Sequence, residues 1–376
     1  MKSKYQIVLD DITTLIENNA YCPGSMLPTE KELAAHYGVS RSTIQKTLGT
    51  LVLKGMITRT AGKGTFVTER PVLEEGLPGR DDVVILLPNH QTQVSFGYLR
   101  GASSRLKQEG IQVTPHYSHN NSDQVFLRAR QYAQGGAAGL IVYPISSEDP
   151  EGVLVKCRKS GLPVVTIDKN TMGATLSSVC SDNYAGGFIA GTHLIEKGHR
   201  DILWVQNEQL SDTLQDRMCG FVDALAERGL SLPEENRFVF AASNDHKSKE
   251  TIMSFLRKRV AGAPPTAVFC ASDAVASLVY RAAYDLGIKI PDVLSVIGFD
   301  NLDIAEAMSP PMTTIAQDFY AIGKEAANLL LEQIRGGTGV TKRYLPVELI
   351  ERESVRDLSG SRRADAEPRE DERNIG

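Results

Sequence analysis

Apolar residues along this chain follow two rhythms. In residues 1–70 they recur at three- and four-residue spacing: Val8, Ile12, Leu15 and Ile16 share one helical face, Leu33, Ala34 and Tyr37 a second, and Ile44, Leu48, Leu51 and Val52 a third. That spacing predicts three amphipathic helices. The first is expected to end near Asn18-Asn19. The second begins at Thr29-Glu30-Lys31-Glu32, a capping box in which Thr29 is the N-cap and Glu32 reaches back, and Gly38 closes it. Ser40 caps the third. Two strand-like runs, Ile57-Thr58-Arg59-Thr60 and Thr65-Phe66-Val67-Thr68, flank the tip Ala61-Gly62-Lys63-Gly64 and predict a hairpin.

Beyond residue 82 the rhythm changes. Short β-branched runs, Val83-Val84-Ile85-Leu86-Leu87, Leu140-Ile141-Val142, Pro163-Val164-Val165-Thr166-Ile167, Ile202-Leu203-Trp204-Val205, Ala267-Val268-Phe269 and Leu294-Ser295-Val296-Ile297, alternate with helix-length amphipathic segments. This alternation predicts parallel sheets covered by helices, and its length predicts two such units. Trp204, inside an apolar run, is read as core. Residues 71–81, rich in proline and glycine, read as a linker between a domain at 1–70 and one at 82–356, and the charged, apolar-poor stretch 357–376 reads as a disordered tail.

Composition sharpens this picture. The 376 residues, 41% of them hydrophobic, suffice for two cores. No apolar run approaches the roughly 20 residues of a membrane span, and the first thirty residues lack the apolar stretch of a signal peptide, so a cytoplasmic protein without membrane contact is expected. Five widely spaced cysteines never form Cys-x-x-Cys, which predicts buried reduced thiols and neither disulfides nor a metal site. The net charge of −5 is unevenly spread: residues 1–70 hold nine Lys/Arg against six Asp/Glu, the remainder 32 against 40. A basic head on an acidic body suits nucleic-acid binding by the head alone.

Helix, tight turn, helix and basic hairpin make a winged helix-turn-helix. Such a unit sets the N-terminus of its third helix into the major groove, where hydroxyls and an arginine reach phosphates and base edges. The outward Arg41, the hydroxyls beside it and the cationic tip favour DNA over the protein-binding role that winged helices also take. The runs Leu27-Pro28-Thr29-Glu30-Lys31-Glu32-Leu33-Ala34, Gly38-Val39-Ser40-Arg41-Ser42-Thr43, Gly55-Met56-Ile57 and Gly62-Lys63-Gly64-Thr65-Phe66-Val67 resemble, in order and spacing, the DNA-binding module of the GntR regulators. The resemblance implies DNA contacts from Lys31, Ser40, Arg41, Ser42, Thr43, Gln45, Gly62 and Lys63. At Lys31 and Gln45 many members have Arg, and a Gln there pairs with adenine.

Residues 82 to about 355 resemble a different family, the ligand-binding core of the LacI/GalR repressors, itself related to periplasmic sugar-binding proteins. The matching runs are Gly139-Leu140-Ile141-Val142, Gly161-Leu162-Pro163-Val164-Val165-Thr166-Ile167-Asp168-Lys169, Asp182-Asn183-Tyr184-Ala185-Gly186-Gly187, Gly198-His199-Arg200, Arg217-Met218-Cys219-Gly220-Phe221, Ser272-Asp273, Gly298-Phe299-Asp300 and Thr313-Thr314-Ile315-Ala316-Gln317. The resemblance implies an α/β domain of two lobes, roughly 82–175 plus 318–341 and 176–315 plus 343–356, joined by three crossovers around a cleft. A sugar such as arabinose or a related carbohydrate would occupy that cleft. Matching positions make Arg217 and Asp300 the leading ligand contacts, with Asp168, Lys169, Ser272, Asp273 and Gln317 behind them. A guanidinium fork serves two neighbouring hydroxyls, and carboxylates and amides accept from the rest. Asp300 and Asp273 also admit plainer readings, as caps of the turn and the helix beside them. The aromatic pair common in the loop after the first strand falls on Val94 and Ser95, with Phe96 one place later.

The implied protein is a transcriptional repressor, allosterically released from its operator by sugar, binding an inverted repeat as a homodimer and needing no cofactor. The alternative is a sugar-metabolising enzyme fused to the head. No nucleophile elbow, Schiff-base lysine context or catalytic carboxylate pair stands out for it. Gly62-Lys63-Gly64-Thr65 lacks the first glycine of a phosphate-binding loop, and Gly186-Gly187 to Gly191 lies within a helix pattern and reads as helix packing.

Overall fold

A computed structural model describes residues 4–17, 21, 25–53, 57–60, 64–67, 81–89, 92–118, 120–145, 152–169, 176–207, 211–241, 245–260 and 264–359. The chain divides into two compact units, Met1–Leu77 and Pro78–Gly376.

The first unit holds α1 (Lys4–Glu17), α2 (Glu30–Tyr37), α3 (Arg41–Leu53), β1 (Ile57–Thr60) and β2 (Gly64–Val67). The capping box forms as the sequence requires, with Glu32 N–H donating to Thr29 Oγ1 and Thr29 N–H to Glu32 Oε2, and Gly38 ends α2 at φ 60. Val8, Leu9, Ile12, Leu27, Leu33, Ile44, Leu48, Leu51, Ile57 and Val67 make one core. The side chains of Ile16 and Val52 lie outside the described residues. The antiparallel pair β1 and β2 gains a partner that the hydrophobic pattern did not predict: Leu27 N–H donates to Thr65 O and Val67 N–H to Ser25 O, so the segment before α2 continues the sheet.

The second unit contains two six-stranded sheets. The first has the order β4-β3-β5-β6-β7-β13, from β3 (Val83–Leu87), β4 (Val113–Tyr117), β5 (Gly139–Val142), β6 (Val164–Ile167), β7 (Ser177–Ser181) and β13 (Lys342–Leu345), all parallel. The second has the order β9-β8-β10-β11-β12-β14, from β8 (Ile202–Asn207), β9 (Arg237–Phe240), β10 (Ala267–Cys270), β11 (Ser295–Asp300), β12 (Thr313–Ala316) and β14 (Glu348–Ile350), with β14 alone antiparallel. Around the first sheet lie α4 (Gln93–Leu106), α5 (Ser122–Gly135), α6 (Val153–Lys159) and α12 (Phe319–Ile334). Around the second lie α7 (Asn183–Glu196), α8 (Asp212–Ala226), α9 (Asp245–Val260), α10 (Asp273–Leu286) and the short α11 (Asp303–Ala307). Every residue of β3, β5, β6 and β10 is buried, as strands covered on both faces must be. Trp204 is fully buried against Phe221 and Phe269.

Both sheets place their second strand outside their first, so the winding direction reverses between β3 and β5 and again between β8 and β10. In open α/β sheets such reversals open a crevice at the carboxyl ends of the strands. In each lobe a helix pair packs backbone to backbone. A Cβ on Gly101 or Gly323 would collide with the partner helix in α4–α12, and one on Gly187 or Gly220 would do so in α7–α8, where Gly187 faces the Arg217 carbonyl. The Gly186 to Gly191 run is thus helix packing.

Three expectations need correction. The strand Ser177–Ser181 belongs to the first sheet, between β6 and β13, although the boundary at 175/176 assigned it to the second lobe. Residues 343–345 move likewise, because β13 pairs with β7. Residues Asp357 to Ser359 are ordered against α7 through Leu358 N–H to Lys197 O at 2.7 Å, while the remainder of the expected tail and nearly all of the expected linker lie outside the described residues. Cys157, Cys180 and Cys270 are buried free thiols, but Cys219 is exposed on α8. Among the described residues no helix is long and apolar enough to cross a membrane.

Candidate ligand cleft and nucleic-acid interface

Asp168 directly follows β6 and Asp300 ends β11, so both sit at carboxyl ends of central strands. On the second lobe, Arg217 of α8 is 5% exposed and its guanidinium lies 3.7 Å from the centroid of the Phe299 ring. Its Nε donates to Asn183 Oδ1 at 2.7 Å and its Nη1 to Ala271 O at 2.6 Å, and Nη1 stands 3.6 Å from Asp300 Oδ1. Nη2 has no partner among the described residues. A buried guanidinium with one nitrogen unpaired is poised to donate to a ligand.

Asp300 ends β11 in a strained conformation, φ 116, followed by Asn301 at φ 53. Gln317 Nε2 donates to its Oδ1 at 2.7 Å. Burial pushes the Asp300 carboxyl up to about 7. The Arg217 charge opposes that rise, and the carboxylates of Asp273 and Asp168 add to it. Asp168 follows β6 on the first lobe, itself at φ 67, close enough to Asp300 for its charge to bear on that carboxyl. The Tyr98 hydroxyl donates to Asp168 Oδ1 at 2.9 Å. Burial, then the Asp168 charge, hold the Tyr98 and Tyr143 phenols well above their ordinary range, so both remain protonated donors. Lys169 is 4% exposed, donates to Ile145 O at 3.4 Å and stands 5.1 Å from the Tyr143 centroid. Burial lowers its pKa.

Three more buried polar atoms, Ser95 Oγ, Ser181 Oγ and Gln317 Oε1, lack a hydrogen-bond partner among the described residues. They sit in the first turn of α4, at the end of β7 and just after β12. Leaving such groups unpaired costs about 1–3 kcal/mol each.

Of the residues singled out by sequence, the structure brings together Arg217, Asp300 and Gln317 on one lobe and Asp168 and Lys169 on the other. Ser272 is the N-cap of α10, accepting from Val275 N–H. Asp273 is fully buried and accepts from Leu302 N–H at 2.7 Å and Thr314 Oγ1 at 2.6 Å; its partners are protein groups, and the cap role belongs to Ser272. Phe96 is 59% exposed with Arg100 over its ring, and the aromatic that reaches the charged cluster is Tyr98, half a turn on. The sequence reading missed Tyr98, Tyr143 and Ser181, which no motif marks. It quoted Asn183 and Phe299 inside motifs without a role.

In the first unit, Ser40 Oγ accepts from Thr43 N–H and lies 2.8 Å from Ser42 Oγ and 2.9 Å from Thr43 Oγ1, so the three hydroxyls cluster at the start of α3. Arg41, Ser42 and Lys31 are exposed around that helix N-terminus, which favours phosphate. Gln45, one turn on, donates to Glu30 Oε2 at 2.9 Å. Gly62 and Lys63 lie outside the described residues.

Comparison with known proteins agrees with this division. Residues 4–67 match the gntR family of bacterial regulatory proteins, and residues 192–355 match the periplasmic binding protein-like domain. The chain is 27% identical over 364 residues to the arabinose metabolism transcriptional repressor of Geobacillus stearothermophilus, covering 94% of this chain and 98% of the relative. It is 35% identical over 252 residues to the HTH-type transcriptional repressor PurR of Yersinia enterocolitica, covering 64% of this chain and 70% of PurR. A LacI family transcriptional regulator from Enterococcus faecium, solved with bound ribose, superposes with a TM-score of 0.62 at 25% identity over 74% of this chain and all of that one. These relatives are regulators rather than enzymes. The chain belongs to the bacterial transcriptional repressors that join a gntR-type winged-helix DNA-binding domain to a LacI-like, periplasmic-binding-protein-like domain.

Proposed function

We propose that this regulator is a cytoplasmic homodimer that occupies an inverted-repeat operator and is released from it by a neutral sugar, a pentose such as arabinose or a related carbohydrate, held between the two lobes. The observation that carries this reading is Arg217, a buried cation whose Nη2 has no partner among the described residues, beside a buried carboxyl. Paired hydroxyls are the ligand groups that satisfy both at once. The arabinose repressors and the ribose-bound regulator among the relatives point to sugars as well. Contact with Arg217, Asp300, Gln317, Asp168 and Lys169 would draw the lobes together, and closure would pass through the dimer to the operator-bound heads. Exposed aromatic surface on both lobes, Phe96 and Tyr320 on one and Tyr284 on the other, supports self-association. Operator contacts come from Lys31, Ser40, Arg41, Ser42, Thr43, Gln45, Gly62 and Lys63.

The test is a panel of pentoses, hexoses and phosphosugars, scored by rise in Tm and by loss of anisotropy of a labelled operator. A free pentose is expected to do both. Release by phosphosugars alone, or turnover of any sugar, would sink the reading. Sedimentation of the 41.0 kDa chain should give a dimer.

Binding should also depend on pH, with a sign fixed by Asp300. Burial with the lobes in contact pushes its carboxyl up to about 7, and ligand hydroxyls donate to the ionised form. Binding therefore releases a proton below pH 7. Affinity is expected to rise with pH, by up to about tenfold per unit, and to level off above 7. Calorimetric titrations from pH 5.5 to 8.5 check this. Asp300→Asn should bind more weakly and lose most of the slope; an Asn variant with the parent's pH profile would assign the proton elsewhere.

A further inference from the structure

The lobes also touch beyond the charged cluster. Leu302, in the turn that follows Asp300 on the second lobe, packs against the first-lobe cluster that includes Tyr98 and Phe319. The next residue, Asp303, donates its N–H to Gln93 Oε1 at 2.7 Å, in the first turn of α4. That bond joins residues 210 positions apart.

On its own lobe the turn is firmly held. Asp273 accepts from Leu302 N–H and Thr314 Oγ1, and Arg352 Nη2 donates to Asn301 Oδ1 at 2.9 Å. A Cβ on Gly298 would collide with the Asp273 carboxylate, so the strand before the turn packs directly against that anchor. The strained φ values of Asp300 and Asn301 lie between these anchors and the cleft. A rigid turn with a cleft carboxylate at one end and an inter-lobe contact at the other carries a displacement from the first to the second.

We propose that Leu302 and Gln93 form a latch that stabilises the closed arrangement of the lobes, so that these residues set how far an effector engaging Asp300 shifts the equilibrium. The proposal rests on the reading of the cleft as the effector site. The contacts exist only when the lobes meet, so removing them weakens the closed state without removing an effector contact. Apparent effector affinity falls with the fraction of closed protein.

The test places spin labels at exposed Cys219 on the second lobe and at a cysteine introduced by Gln108→Cys on the first, in the full chain with Cys22→Ser. Pulsed dipolar spectroscopy then gives the closed and open populations without sugar and with arabinose. Leu302→Ala is expected to lower the closed-to-open ratio about tenfold or more, Gln93→Ala about threefold, and the volume-conserving Leu302→Met to stay near the parent. Gln93 is exposed, so its variant folds even if Leu302→Ala does not. Distance distributions unchanged in both alanine variants would overturn the latch, and so would a parent with separated lobes under both conditions. If arabinose leaves the parent unmoved while the alanine variants still open it, the latch stands and the choice of effector fails.

Discussion

Arg217→Ala should produce a repressor that binds its operator normally and no longer releases it. The guanidinium's protein bonds, from Nε to Asn183 and from Nη1 to Ala271, leave Nη2 without a partner among the described residues. A charge-assisted bond is worth about 1.5–3 kcal/mol, so effector affinity should fall by ten-fold or more. An effector shifts an equilibrium only by its differential affinity for the two states, so weaker binding to the closed cleft means weaker release at any fixed concentration. The alanine also strips Asn183 Oδ1 and the Asp300 carboxyl of a buried partner, which costs stability. Arg217→Lys is the companion variant: it keeps the charge and loses the planar fork, and should retain the fold with an intermediate loss of affinity. Operator anisotropy with and without effector, for parent and both variants, decides the matter. An unchanged effector response in the alanine variant would place the pocket elsewhere, and loss of operator binding without effector would make Arg217 structural.

The sequence spoke most clearly where one physical demand dominated. A strand buried on both faces must be apolar throughout, so Val83 to Leu87 and Leu140 to Val142 declared themselves. β7 did not, because its Ser177, Ser178 and Ser181 are small polar residues in a fully buried strand. One of them explains the choice: Ser177 Oγ accepts from Thr341 N–H at 3.1 Å, which ties β7 to the segment entering β13. No hydropathy pattern reveals a polar residue buried for a backbone partner. The lobe boundary misplaced at 175/176 follows from that silence.

The candidate site was legible through motifs, and motifs give position without role. Ser272-Asp273 was read as a contact pair, yet its hydroxyl caps α10 and its carboxylate anchors the turn after Asp300. The plainer reading of Asp273, as a helix cap, underestimated it, since it holds a loop 29 residues away. Tyr98 and Tyr143 reach Asp168 from two different elements of the first lobe, a convergence created by tertiary packing that chain spacing does not encode.

The second large effect is expected at the DNA. Arg41 opens α3 with its side chain exposed, beside the Ser40, Ser42 and Thr43 hydroxyl cluster. In the groove geometry of this domain class the start of that helix meets base edges, where an arginine pairs bidentately with guanine. Arg41→Ala should weaken operator binding by about 1–3 kcal/mol. Binding to random DNA, which rests on phosphate charge, should weaken far less, and the salt slope should stay near the parent's. Because Arg41 lies on the helix surface outside the Val8 to Val67 core, the variant should melt with the parent. Gln45 offers a contrast: its amide is already engaged with Glu30, so a base contact must displace that bond, and Gln45→Ala should cost less than Arg41→Ala. Competition anisotropy with operator and scrambled duplexes at two salt concentrations separates the cases. Equal losses on both duplexes, with a slope reduced by about one, would make Arg41 a phosphate contact and leave base reading to its neighbours.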